Sequence, residues 1–178
     1  MSVADILRQQ CPGALPNSFF ERVGGRPTLD RVHRCFYGKI YAHPWVGQYF
    51  VHADRDHLER TQSDFMTGQF DGGQIFCGRP PAQAHLHLAI SEELFDLRQE
   101  LLGQALTEEG ISGADRQHWL EVDAKFRPVL LREAEDCQPL SSAQGILNFP
   151  NPETVPACLP TDTPQETRKL RGGSSSVD

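Results

Sequence analysis

The hydrophobic positions of this chain recur at helical spacing in several separate segments. Leu29, Val32, Phe36 and Ile40 lie three or four residues apart, which places them on one face of a predicted helix. Two later segments repeat this spacing: Leu94, Leu97, Leu101, Leu102, Ala105 and Leu106, and then Trp119, Val122, Phe126, Val129 and Leu130. No segment of useful length alternates apolar and polar residues as a strand does. The pattern therefore predicts an all-α domain.

Capping residues and prolines predict where these helices begin and end. Thr28 is a suitable N-cap for the helix that contains the first apolar stripe, and Pro44 marks the end of that helix. Asp54 or Asp56 opens the next helix. Pro128 lies within the last apolar stripe, so we expect a kink there, because proline removes a backbone hydrogen bond.

The helical pattern covers only the central part of the chain. Residues 1–17 read as an N-terminal lead-in with a short helical stretch, and residues 18–137 form the predicted domain. Residues 138–178 are rich in proline, glycine and serine and contain few apolar positions. Such a composition buries too little apolar surface to offset the entropy cost of ordering. We therefore predict a disordered C-terminal tail.

Composition narrows the class of protein. The net charge of −7 at pH 7 argues against nucleic acid or an anionic membrane as the main partner. No apolar run approaches the length of a membrane span, and the first residues lack the pattern of a signal peptide. The five cysteines are odd in number and form no C-x-x-C pair, which is typical of free thiols. We expect a cytoplasmic protein that is a monomer or a weak dimer.

A histidine lies between a stiff loop and a strong helix. Gly78 and the Pro80-Pro81 pair enforce a loop before His85, and Ser91 can cap the helix that follows. A rigidly held imidazole in apolar surroundings is what an axial iron ligand requires. A core histidine with satisfied hydrogen bonds has the same local pattern, so the spacing alone leaves both interpretations open.

One polar side chain interrupts an apolar stripe. Gln62 shares a predicted helix face with Leu58, Phe65 and Met66. A buried amide needs hydrogen-bond partners. Gln62 is therefore either a core residue bonded to the backbone or a functional group that faces a ligand.

In their order and spacing, these segments resemble the truncated haemoglobins, the short bacterial and protist globins with a two-over-two helical sandwich. The resemblance spans about residues 19–131. It rests on two Gly-Gly breaks and on these residues: Phe36-Tyr37, Tyr49-Phe50, Gln62 with Phe65, and His85 followed by Ile90 and Phe95 at five-residue steps. It implies a haem b protein that binds dioxygen, nitric oxide or carbon monoxide. It also implies a nitric oxide dioxygenase-type activity that depends on a separate reductase.

The resemblance assigns roles to individual residues. His85 matches the ligand of haem iron, with its other ring nitrogen donating to a carbonyl near the start of its own helix. Phe50 matches an aromatic residue that packs against the porphyrin. Tyr37 and Gln62 match hydrogen-bonding groups on the opposite, distal side, and Leu58 matches an apolar gate. The other residues that the resemblance places against haem are Phe65, Arg79 and Leu88.

Two positions depart from the pattern of the family. Thr61 stands where many relatives have a basic residue for a haem propionate, so Arg60 or Arg79 is expected to replace it. Arg98 stands thirteen residues after His85, where some subfamilies have tryptophan. An arginine is unusual in such a pocket, and we expect it to point outward if the helix register shifts. The subgroup stays open.

Two other classes of protein remain as alternatives. A zinc or non-haem metal protein would use Cys77, His85 and His87, together with His52 or His57. The His-x-His spacing suits a strand better than a helix, and no common zinc pattern fits. The other alternative is a cofactor-free interaction or sensor module on a globin scaffold, with the tail as a binding segment.

Overall fold

The computed structural model describes residues 18–139 and 145–154 as a helical domain. Its α-helices are α1 (Phe19–Arg22), α2 (Gly25–Ala42), α3 (Arg55–Gln69), α4 (Pro81–Ala84), α5 (Glu92–Glu108), α6 (Gly113–Ala124) and α7 (Arg127–Leu130). Two 3-10 helices span Val46–Phe50 and Ala134–Asp136. None of these helices is both long enough and apolar enough to cross a membrane. Within these residues the only β pairing consists of isolated bridges, so the all-α prediction is confirmed.

The four long helices pack as two pairs, α2 with α3 and α5 with α6. The pairs meet where α2 contacts α5. The core between the pairs is built from the apolar stripes predicted from the sequence. Its fully buried members include Leu29, Val32, Ile40, Met66, Phe70, Leu102, Leu106 and Trp119. This is the two-over-two arrangement, and it leaves space for a cavity beside α2.

Most helix boundaries follow the capping signals, with one correction. Asp54 is the N-cap of α3 and accepts a hydrogen bond from the His57 N–H at 3.0 Å. Ser91 accepts from the Leu94 N–H at 3.2 Å at the start of α5, as expected. The assignment of Thr28 as N-cap is wrong, because α2 begins at Gly25. Gly24 precedes it with φ of +99°, a conformation that glycine adopts without strain.

The last helix is broken where a kink was expected. Helix α6 ends at Ala124, and the short helix α7 begins at Arg127 with Pro128 in its first turn. Proline is accommodated in a first turn because no intrahelical hydrogen bond needs its N–H. The break also turns Val129 outward, where it is 44% exposed, so it does not share the buried face of Trp119.

Part of the predicted disordered tail is structured. Residues 145–154, which we call the C-terminal strap, pack against the segment that follows His85. The Leu147 N–H donates to the His87 carbonyl at 2.8 Å, and the Ala89 N–H donates to the Leu147 carbonyl at 2.9 Å. The prediction of disorder is wrong for this strap, because Leu147 and Phe149 pack against the core. The lead-in over residues 1–17 and the tail over residues 155–178 lie outside the described residues.

The strap is also fixed to the 3-10 helix Val46–Phe50 and to Trp45, which precedes it. The Trp45 indole N–H donates to the Phe149 carbonyl at 2.8 Å. The Phe149 N–H donates to the Tyr49 hydroxyl at 3.0 Å, and the two rings meet edge to face. The Tyr49 hydroxyl in turn lies 3.3 Å from the Ala89 carbonyl, to which it donates. Tyr49 therefore joins the strap to the segment after His85.

Candidate functional site

A cavity opens between helices α2, α3 and α5 and the His85 segment. The cavity has a volume of about 200 Å³. The predicted site residues that line it are Tyr37, Phe50, Leu58, Gln62, Phe65, Arg79 and His85. Leu88 lines an adjoining lobe, which also contacts Phe50 and His85. The fold thus brings the eight residues that the family resemblance places against haem to this cavity and its adjoining lobe.

The short helix α4 positions the imidazole of His85. Pro81 starts this single turn, and the His85 N–H closes it by donating to the Pro81 carbonyl at 3.2 Å. The ring Nδ1–H donates to the same carbonyl at 2.8 Å. This contact, which the family resemblance implied, fixes the tautomer and leaves Nε2 with a free lone pair. No residue in the described ranges hydrogen-bonds to Nε2.

Burial sets the charge state of His85. The enclosure of the ring lowers its pKa below the ordinary value, and the hydrogen bond to Pro81 offsets this only in part. The imidazole is therefore neutral at pH 7. A neutral imidazole with an unshared nitrogen facing a cavity is the form of histidine that binds metals.

Tyr37 supplies a hydroxyl to the same cavity from helix α2. Its side chain is buried, and burial raises the pKa of the phenol to about 12. The hydroxyl is therefore protonated at all physiological pH values and is available as a donor. It has no hydrogen-bond acceptor within the part of the chain that the structure describes. The ring is held by Phe36 and Phe50, at centroid distances of 5.2 and 6.2 Å.

Gln62 is the second polar group at the cavity wall. It lies on helix α3 between the apolar residues Leu58 and Phe65, which line the same cavity. Among residues 18–139 and 145–154, nothing hydrogen-bonds to its side-chain amide. A core glutamine bonded to the backbone would show such a contact, so this arrangement favours a group that faces a ligand. Gln62 and Tyr37 make no direct hydrogen bond to each other in the described structure.

The mouth of the cavity carries the basic side chain expected there. Arg79 is exposed and lines the cavity, whereas Arg60 is exposed and does not. Thr61 lines the wall, with its hydroxyl 3.5 Å from His57 Nε2. Phe76 also lines the cavity and packs against Phe65 at 5.2 Å. Sequence reasoning missed Phe76, because this residue lies in a loop without hydrophobic periodicity.

Arg98 points inward, against the expectation that a register shift would turn it outward. Its two terminal nitrogens reach the Asp123 carboxylate at 2.5 and 3.0 Å. The Gln99 amide donates to the same carboxylate at 2.9 Å. Arg98 lines both the main cavity and its adjoining lobe. The sequence feature that could have predicted this inward position is Asp123, because a carboxylate on the buried side of a helix requires a cation nearby.

The side chains proposed for a zinc site are not brought together. In the described ranges there is no cluster of three or more histidine, cysteine, aspartate or glutamate side chains that could hold a metal ion. Cys77, His52 and His57 are exposed, whereas His87 is buried. The His87 Nδ1 has no hydrogen-bond partner among the described residues.

Comparison with known proteins identifies the class to which this fold and cavity belong. The model of the bacterial-like globin family matches residues 18–130. A group 1 truncated haemoglobin from Tetrahymena pyriformis is 29% identical over 99 residues, which cover 56% of this chain and 82% of that protein. The counterpart from Tetrahymena thermophila is 31% identical over 93 residues, 52% of this chain and 77% of the relative.

Solved structures give the same answer. The Fe(III) form of the Tetrahymena pyriformis truncated haemoglobin superposes with a TM-score of 0.62 at 26% identity, covering 66% of this chain and all of that one. The 2/2 haemoglobin of a Synechococcus species, in its cyanomet state with covalently attached haem, gives a TM-score of 0.61 at 30% identity. That match covers 64% of this chain and 98% of the Synechococcus chain.

The chain therefore belongs to the bacterial-like globin family. Within that family it is a truncated, two-over-two globin, which confirms the resemblance seen in the sequence. Membership implies haem-based binding of diatomic gases.

Proposed function

We propose that this protein binds haem b, with His85 as the axial ligand, and uses it to bind dioxygen and other diatomic gases. The observation that carries the proposal is the state of His85. Its Nδ1–H is fixed on the Pro81 carbonyl at 2.8 Å, and its Nε2 is unshared beside a largely apolar cavity. A hydrogen bond of this kind orients a histidine ligand and increases its basicity toward a metal.

The walls of the cavity fit a flat apolar macrocycle with acidic side groups. Phe50, Phe65 and Leu88 offer ring and aliphatic surface on which a porphyrin would pack. Arg79 lies at the exposed mouth, where its guanidinium could pair with a propionate carboxylate. This division into an apolar interior and a basic rim supports haem over a cofactor that is polar throughout.

The distal residues determine how firmly a gas is held. Haem iron, when bound, supplies the coordination position for the gas. Tyr37 and Gln62 line the cavity with donors that have no other partner in the described structure. Hydrogen bonds in a site that excludes water are stronger than the same bonds in water. Leu58 donates nothing and keeps that side of the cavity apolar.

A redox activity of the nitric oxide dioxygenase type is the finer part of this proposal. The conversion of nitric oxide and dioxygen to nitrate consumes one electron. A reductase partner must therefore supply that electron in each cycle. Phenol and amide donors that favour retention of dioxygen until nitric oxide arrives support such a role.

The absorption spectrum of the purified, haem-supplemented chain tests the proposal. We expect a red protein with a Soret band that shifts when carbon monoxide is added after reduction, and an alkaline pyridine spectrum that matches haem b. A colourless protein would overturn the proposal and favour the cofactor-free module. Stoichiometric zinc in a metal analysis would favour the non-haem metal protein instead.

A further inference from the structure

A half-buried arginine shares the cavity with the proposed gas site. Arg98 lies in the middle of helix α5, and its side chain retains 24% exposure, compared with 5% for the carboxylate side chain of Asp123. Arg98 lines both the main cavity and the adjoining lobe, so part of its exposed surface faces the cavity. The ion pair thus presents mainly its positive partner to the interior space.

The guanidinium is held firmly but is only partly used. It makes two hydrogen bonds to Asp123, and its centre lies 5.2 Å from the centroid of the Phe36 ring. A guanidinium has five N–H donors. Within the described ranges, Nε makes no hydrogen bond, and neither terminal nitrogen has a second acceptor. Three donors therefore remain available on a preorganised cation.

The carboxylate of Asp123 is occupied more fully than the cation. Its two oxygens accept from both terminal nitrogens of Arg98 and from the Gln99 amide. The charged side chains that line the main cavity are Arg79, Arg98 and Asp123, while His85 is neutral. Arg98 and Asp123 balance each other in charge, but of the two only the cation keeps unused hydrogen-bonding groups, and Arg79 lies at the exposed mouth, where solvent screens its charge.

Arg98 is close enough to Tyr37 to influence it electrostatically. The positive charge opposes the effect of burial on the pKa of the phenol. Tyr37, Gln62 and Arg98 thus all present hydrogen-bond donors to one cavity. A site that combines a guanidinium with several unused donors is complementary to an acceptor that carries negative charge.

We propose that Arg98 makes this cavity selective for small inorganic anions, such as nitrite or azide, over neutral ligands of similar size. This inference rests on the proposed function, because it places the anion in the haem cavity. Asp123 acts as the positioning residue: it holds the guanidinium in place and offsets the effect of its positive charge. The two residues therefore have opposite effects on anion affinity.

Optical titration of the ferric, haem-loaded protein with azide and nitrite tests this selectivity. We expect Arg98→Met to weaken azide binding by about tenfold or more, because a charge-assisted hydrogen bond is lost. Affinity of the reduced protein for carbon monoxide, which is neutral, should change by less than about threefold on the same grounds. Asp123→Asn should strengthen azide binding, since the amide no longer neutralises the cation. Arg98→Lys should restore part of the loss.

Two further variants separate electrostatics from folding. Arg98→Met with Asp123→Asn removes both charges, so it avoids an unpaired buried carboxylate and should bind azide as weakly as Arg98→Met. Arg127→Met is the control, because Arg127 is likewise an ion-paired arginine, held by Glu92 and Asp96, and lies 5.0 Å from the ring centroid of Phe95. It does not line the cavity and should leave azide affinity unchanged.

Three results would overturn the inference. Equal azide affinities in wild type, Arg98→Met and Asp123→Asn would show that the cation does not face the ligand. Parallel losses of azide and carbon monoxide affinity would show a structural role. A loss of haem retention in Arg98→Met with unchanged azide affinity would assign Arg98 to a haem carboxylate.

A separate measurement covers failure of the proposed function. If the chain takes up no haem, thermal unfolding of the colourless protein with and without azide shows whether the cavity binds anions without haem. Stabilisation by azide that Arg98→Met abolishes would support an anion site that needs no haem. No stabilisation in either protein would overturn the anion site together with the haem proposal.

Discussion

A buried histidine outside the cavity is expected to make the fold sensitive to acid. His33 lies inside helix α2 with only 1% of its surface exposed. Its Nδ1 is 2.8 Å from the Ser63 hydroxyl, and its ring packs edge-on to Trp119 at 5.9 Å. Burial lowers the pKa of His33 to about 3, and the positive charge of Arg98 adds to the effect.

The sign and size of the pH effect follow from this pKa. The unfolded chain has an ordinary histidine pKa of about 6.5, so between pH 6.5 and 3 it binds a proton that the folded chain does not. The contribution of the neutral ring to the free energy of unfolding is therefore complete above about pH 7 and is lost as the pH falls. The loss reaches about 1.4 kcal/mol per pH unit, or about 2 kcal/mol between pH 7 and pH 5.

Urea unfolding at pH 5, 6 and 7 measures this effect when wild type is compared with His33→Gln. The glutamine can still hydrogen-bond to Ser63 but does not titrate. The free energy of unfolding of His33→Gln should therefore fall less steeply as the pH drops, by about 1.4 kcal/mol per pH unit. Ser63→Ala is the matched control, because it removes the hydrogen bond and keeps the imidazole. It should lower stability at every pH and retain the steep slope. Equal pH slopes in wild type and His33→Gln would refute the reasoning.

Three further changes test the site and its supports. Tyr37→Phe should release dioxygen about tenfold faster in stopped-flow measurements, since one donor in a dry cavity is lost; an unchanged off-rate would remove its distal role. Tyr49→Phe should lower the free energy of unfolding by about 1–3 kcal/mol, because the Phe149 N–H loses its acceptor; no change would show that the strap is held otherwise. Gly72→Ala should cost about 1–3 kcal/mol, since a Cβ there would lie 2.6 Å from the Phe20 ring, and a neutral result would show that this ring moves freely.

The helices were predictable because they depend on local signals, whereas the roles of the cavity residues were implied by the family resemblance. Periodic apolar residues define α2, α3 and α5, and caps such as Asp54 and Ser91 fix where two of them begin. The contact from His85 to Pro81 was implied by the family resemblance. The physical cause of each helix and each cap lies within one turn or one helix face, where sequence spacing determines geometry.

The features that were missed depend on contacts between distant segments. The inward position of Arg98 depends on Asp123, twenty-five residues later on another helix. The strap is ordered by backbone hydrogen bonds to His87 and Ala89, which its composition does not reveal. Thr28 has the chemistry of an N-cap, yet Gly24 turns the chain earlier and moves the start of the helix. Pairings of this kind are invisible to periodicity and composition.

Spectra of His85→Gly, recorded with and without added imidazole, test the central claim most directly. Wild-type protein should show the Soret band of histidine-ligated haem and a clear shift with carbon monoxide after reduction. His85→Gly should lose that spectrum, and free imidazole should restore it by filling the space of the missing side chain. An unchanged spectrum and full haem content in His85→Gly without imidazole would contradict the account.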